Sequence, residues 1–248
     1  MRTALLCLIY LIAIAGAELI TALVNQMGGM IFHLVLVVSL IFSSAVVGKH
    51  PSHRLFLVLS LAPLIRILGL SMSLAQFSEI YWYLLISIPL LVGVLIIIRI
   101  LNLHPREVGL TAGVIPVQGL IALTGIGFGL IAYLILKPEP LILTLSWQEI
   151  IAPALILLVA TGFVEELIFR GVMQRASVQV LGPWGWVYIA VLFSVLQIGH
   201  LSAMHWLFVL LIALLFGWVV KRTGSILGVS LSHGLTNIGL YLIFPFVV

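Results

Sequence analysis

The sequence predicts an all-α fold, a polytopic membrane helix bundle of about 8–9 transmembrane helices. Of its 248 residues 63% are hydrophobic and only 7% are Asp, Glu, Lys or Arg, against roughly 25% charged in an ordinary soluble domain. The mean hydropathy of +1.36 leaves too few polar side chains to clothe a surface in water. Lipid must therefore be the solvent for most of the chain. The apolar runs are also continuous rather than alternating, which suits helices and not the strands of a β-barrel.

Nine runs approach the ~20 residues a helix needs to cross the hydrocarbon. They are 4–24, 29–47, 55–75, 80–101, 114–136, 150–173, 184–202, 204–220 and 226–247. Gly28-Gly29, Pro51, Pro105, Pro138 with Pro140, Gly182-Pro183 and Gly224 punctuate them, residues that stop or turn a chain. The break near Ser202 is the slightest, so eight spans is the alternative count. The first run follows the single charge Arg2, and no small-residue cleavage pattern leads from it into a polar region. It reads as a span rather than a removed signal peptide. Residues 1–149 form the N-terminal transmembrane helices and 150–248 a helical core carrying the chemistry, the two making one integral-membrane unit.

Basic residues occupy alternate connections: Arg2, then Lys49 and Arg54, Arg99 and Arg106, Arg170 and Arg175, Lys221 and Arg222. The positive-inside rule then places the N-terminus in the cytoplasm and describes a multi-pass protein of the plasma membrane. The net charge of +4 is scattered singly, without the basic stripe that nucleic acid requires. Cys7 is the one cysteine, so neither an intrachain disulfide nor a cysteine metal cluster is available.

Charged groups inside spans cost about 2.5–3.5 kcal/mol on translocon scales and are therefore paired or functional. Glu18 and Arg66 fall at overlapping depths in the first and third spans, an expected interhelical ion pair. His33 is expected to hydrogen-bond between helices. Near the cytoplasmic end of the sixth span stand Glu165, Glu166 and Arg170. Glu166 and Arg170 are four apart and share a helical face, where they neutralise each other. Glu165, rotated by ~100°, is left over and becomes a general base for a water molecule. On the last span His233 and Asn237 lie one turn apart at compatible depth, donors suited to a developing oxyanion. Phe193, Gln197 and His200 follow i, i+4, i+7 spacing on the seventh span and are expected on one face.

Three motifs in order resemble those of the CAAX protease and bacteriocin-processing (CPBP) family of intramembrane proteases, which includes the type II CAAX prenyl endopeptidase. Glu165, Glu166 and Arg170 meet its Glu-Glu-x-x-x-Arg, and His233 and Asn237 meet its His-x-x-x-Asn/Asp. Lys221-Arg222-Thr223-Gly224-Ser225 is similar to its basic-Thr-Gly-Ser turn. The middle motif departs: the family has Phe-x-x-x-His, whereas Phe193 is followed by Gln197, with His200 one turn further on. Gln accepts no proton and is a poor metal ligand beside imidazole.

The resemblance implies an intramembrane endopeptidase, of glutamate or metallo type, that cleaves a membrane-embedded or lipid-anchored peptide. Its water would be activated by Glu165, with Glu166 and Arg170 holding the helix end and His233 and Asn237 stabilising the oxyanion. It also implies a Zn²⁺ alternative, with Glu165, His233 and His200 as ligands. Gln197 admits a second reading, an inactive pseudoprotease serving as a membrane scaffold or immunity-type factor. A third, an ion- or proton-coupled transporter, would use the same intramembrane charges as a path.

Overall fold

The computed structural model describes residues 2–48, 50–72 and 78–248. Lys49 and the last residues of the third expected run, 73–75, lie outside the described residues. The architecture is all-α, and eight helical stretches are long and apolar enough to cross a membrane. Their surfaces face an apolar solvent: Ile12 is 62% and Leu120 69% exposed, an arrangement only lipid stabilises.

In chain order the helices are α1 (Arg2–Leu23), α2 (Gln26–Val47), α3 (Ser52–Leu59), α4 (Leu61–Met72), α5 (Glu79–Ile100), α6 (Ile115–Leu136) and α7 (Trp147–Leu157). Two π-helical segments, Leu158–Glu165 and Leu167–Met173, continue α7. After them come α8 (Gln174–Leu181), α9 (Gly185–Val195), α10 (Ala203–Thr223), α11 (Leu227–Ile238), a π-turn (Gly239–Ile243) and α12 (Phe244–Val247).

The sixth and seventh expected runs lie in one helical stretch, Trp147–His200, whose 54 residues exceed a single crossing, and the chain breaks between them at Gly182, φ 65°, where the sequence places the break. One expectation needs revision. The face expected through Phe193, Gln197 and His200 does not form, because α9 ends at Val195. A 3₁₀ turn, Ile198–His200, follows, and Leu201 reverses the chain at φ 51°. Spacing arithmetic for a regular helix no longer relates these three residues.

The chain divides into two compact units. The first comprises Met1–Gln76, Val92–Leu103 and Val172–Trp218. Here α2 packs against α1, α3 and α4, and α8 against α9. Arg66 Nε donates to Oε1 of the fully buried Glu18, and His33 Nε2 stands 3.1 Å from the same oxygen. The ion pair expected from depth alone is therefore present, with a histidine added to it.

The second unit comprises Phe77–Leu91, His104–Gly171 and Val219–Val248. Its centre is α11, which packs against α6 on one side and the π-helix Leu158–Glu165 on the other. At its start Gly224 adopts φ 67°, and Ser225 N donates to Thr223 Oγ1. Ser225 Oγ in turn accepts from Leu227 N at 3.2 Å. The Thr-Gly-Ser turn is thus a helix break followed by a hydroxyl-closed turn that leads into α11. Gln118 of α6 secures the same end by accepting from Gly228 N at 2.7 Å.

Candidate active site

The approach of α11 to the π-helix is set by two glycines. A Cβ on Gly162 would lie 2.6 Å from Ser230 O, and one on Gly234 would lie 2.9 Å from Leu158 Cα. Neither position has room for a side chain, and small residues at such crossings are how membrane helices bring their backbones together. That contact carries the polar residues of both helices into one place inside the second unit.

Glu166 is wholly buried and is the hub. Its Oε1 accepts from Arg170 Nη1 at 3.0 Å, the i, i+4 pair expected from spacing. The same oxygen accepts from His233 Nδ1 at 2.9 Å. Facing a carboxylate, Nδ1 carries the proton, which fixes the ring's orientation and leaves Nε2 as its other edge. Arg170 is only 4% exposed, so its charge is stabilised by this partner rather than by water.

Asn237, one turn after His233, donates from Nδ2 to Thr161 Oγ1 at 2.8 Å. Thr161 is buried and passes its own hydroxyl proton back to Leu157 O at 2.6 Å. Its oxygen therefore has an acceptor site for the amide, and the amide's second N–H remains uncommitted by this bond. Sequence reasoning missed Thr161, which in an apolar run reads as an ordinary helix residue. Its one signal was its place four residues before Glu165.

Glu165 is half-buried, and its carboxylate makes no hydrogen bond or ion pair among the described residues. The charges of His233, Glu166 and Arg170 all act on it. It also lies within electrostatic reach of the phenols of Tyr83 and Tyr241, whose rings pair at 6.3 Å. These tyrosines were likewise not singled out by the sequence. Successive positions on one helix thus hold two acids with different surroundings: Glu166 bonded through Oε1 to both Arg170 and His233, and Glu165 with no hydrogen bond or ion pair among the described residues.

Gln197 and His200 belong to the first unit. His200 stacks edge-on against His205 at 4.6 Å and lies within reach of the Arg66 guanidinium. Beside them, a Cβ on Gly199 would be 3.5 Å from Arg66 Nη2. A guanidinium neighbour repels a metal cation. Among the described residues no three His, Cys, Asp or Glu side chains are grouped so as to hold a metal ion. Of the expected set, Glu165 and His233 belong to the second unit and His200 to the first. Within the second unit Glu165 and His233 stand near each other, and with Nδ1 given to Glu166 the histidine keeps Nε2 as its remaining nitrogen. Two ligands from one unit fall short of the three or four protein ligands a Zn²⁺ site takes, so the second unit alone does not fit one.

No curated protein and no solved structure matches the chain. Residues 146–239, the stretch that contains Thr161, Glu165, Glu166, Arg170, His233 and Asn237, match the family model described as type II CAAX prenyl endopeptidase Rce1-like, a family of intramembrane proteases.

Proposed function

We propose that this protein is an intramembrane endopeptidase that hydrolyses a peptide bond of a membrane-embedded or lipid-anchored substrate with a water activated by Glu165. One observation carries the reading: Glu166 is committed to both Arg170 and His233, while the adjacent carboxylate of Glu165 has no partner among the described residues. A base must be both charged and unspent to take a proton.

In the proposed reaction Glu165 removes a proton from water as the oxygen attacks the scissile carbonyl carbon. The carbonyl oxygen becomes an oxyanion, met by the second N–H of Asn237 and by His233. With His233 as an imidazolium, the charges of Glu165, Glu166, Arg170 and His233 sum to zero. Held donors of this kind, in a site that excludes most water, stabilise the tetrahedral intermediate more than they stabilise the substrate. Collapse breaks the C–N bond, and the proton taken up by Glu165 passes to the leaving amine. Glu166 and Arg170 act through His233 and are positioning residues.

The test is cleavage of a membrane peptide by the purified protein in lipid. Glu165→Ala should remove activity while thermal unfolding stays close to wild type, because Glu165 makes no contact on which the fold depends. Cleavage by that variant at the wild-type rate would end the assignment. A second reading, the inactive scaffold, is favoured by Gln197 at the position where the resembled family carries a histidine. Absence of any Glu165-dependent turnover in the wild type, with capture of a membrane partner retained, would establish it.

A further inference from the structure

At one end of the spans in the first unit, helix ends and the turns beside them converge on a cavity of about 630 Å³. The α2–α3 connection contributes His50, the first turn of α3 His53 and Arg54, the turn after α5 Asn102, and α8 Gln179. The volume lies within the usual range for small-molecule sites, about 300–1,000 Å³. No carboxylate lines it among the described residues.

The polar groups are held at one end and open at the other. His50 Nδ1 pairs with Ser52 Oγ and His53 Nδ1 with Ser44 Oγ, each at 2.8 Å. Both imidazoles are thereby oriented, with Nε2 as the unengaged edge. The guanidinium of Arg54 and the amides of Asn102 and Gln179 make no hydrogen bond or ion pair among the described residues. Asn102 sits at φ 50°, a left-handed turn that Asn tolerates better than most residues. A hydrophobic wall, Ile100 and Leu101, completes the cavity. Four donors, the His50 imidazole, the Arg54 guanidinium and the two amides, around one acid-free space make a site for an anion, and His53, whose Nδ1 faces Ser44 O, adds a donor there when it is protonated.

The location narrows the class of anion. Each contributing connection is one in which the alternation of basic residues predicts the cytoplasmic side, where membrane lipids are anionic. Basic pockets between transmembrane helices at that surface take phosphate headgroups. An arginine fork matches phosphate oxygens in pairs. The apolar wall beside it suits the first carbons of a lipid's glycerol and acyl region.

We propose that this cavity binds a phosphate anion, supplied as the headgroup of an anionic phospholipid or as free phosphate, with Arg54 as its principal contact.

Two probes separate the sources. The first is native mass spectrometry of the protein from nanodiscs of phosphatidylcholine containing a minor fraction of phosphatidylglycerol. Wild type should retain phosphatidylglycerol above its bulk proportion, and Arg54→Gln should lower that retention about tenfold, the step expected of a charge-assisted bond. The second is inorganic phosphate added to protein in neutral detergent. An Arg54-dependent rise in the thermal midpoint there identifies free phosphate as a sufficient ligand. If Arg54→Gln does not fold, Gln179→Glu, on an exposed position, should repel the anion and lower retention in the same assay. Retention of phosphatidylglycerol at its bulk proportion, with no shift by phosphate, overturns the proposal, as does retention unaltered by both substitutions. Glu165→Ala should bind as wild type does, so failure here is distinct from failure of the peptidase reading.

Discussion

His233 Nδ1 lies 2.9 Å from Glu166 Oε1, joining the last long helix to the π-helical segment of the sixth run through a carboxylate that also holds Arg170. Replacing Glu166 by Gln removes the charge on which both partners depend. Arg170 then loses the carboxylate it bonds while still buried, and breaking a buried pair in this way costs about 3–5 kcal/mol. Glu166→Gln should lower the thermal midpoint in detergent clearly, and peptide cleavage should fall with it. A midpoint equal to wild type would show that the hub is not structural.

Thr161→Val keeps the shape of the side chain and deletes the oxygen that Asn237 bonds. The expected loss is about 1–3 kcal/mol for an amide left unpaired. Since Asn237 is assigned to the oxyanion, kcat should fall by at least about tenfold with little change in KM. Thr161→Ser, which restores the oxygen, should recover most of it. Equal kinetics for Val and Ser variants would separate Asn237 from the chemistry.

Gly162→Ala inserts a methyl 2.6 Å from Ser230 O and 2.9 Å from Gly234 N. Backbone cannot yield as a flexible side chain does, so α11 must move away. Overpacking of this sort costs about 1–3 kcal/mol. The same displacement should separate His233 from Glu166 and abolish cleavage. Full activity in Gly162→Ala would mean that the close crossing does not position the site.

Gln197→His tests whether the middle motif limits the reaction. Imidazole can accept a proton where an amide cannot. The variant should cleave a membrane peptide faster than wild type, and adding Glu165→Ala should return the rate to background. An unchanged rate in the single variant would favour the scaffold reading.

Where spacing and composition act directly, the sequence was informative. Glu166 and Arg170 pair because they are four apart, and Glu18 and Arg66 pair because a charge at that depth in lipid needs an opposite one. The placement of His233 and Asn237 on one helix face also follows from period alone. Thr161 was hidden because a threonine within an apolar run satisfies its hydroxyl on the preceding turn, so its second role needs a neighbour from a distant helix. The end of α9 at Val195 was hidden too, since no glycine or proline between Gly185 and Gly199 marks it. The assignment of His233 to Glu166 depended on the crossing of two helices, which no spacing within either one specifies.

Glu166 has a further peculiarity of position: π-helical backbone precedes it through Glu165 and resumes at Leu167, so it stands between two overfull coils. Such turns fit extra chain into the same axial distance and commonly occur where function is found. The anchored acid is therefore a fixed point with loosely wound backbone on either side, and the extra residue in each wide turn sets which way Glu165 and its neighbours face.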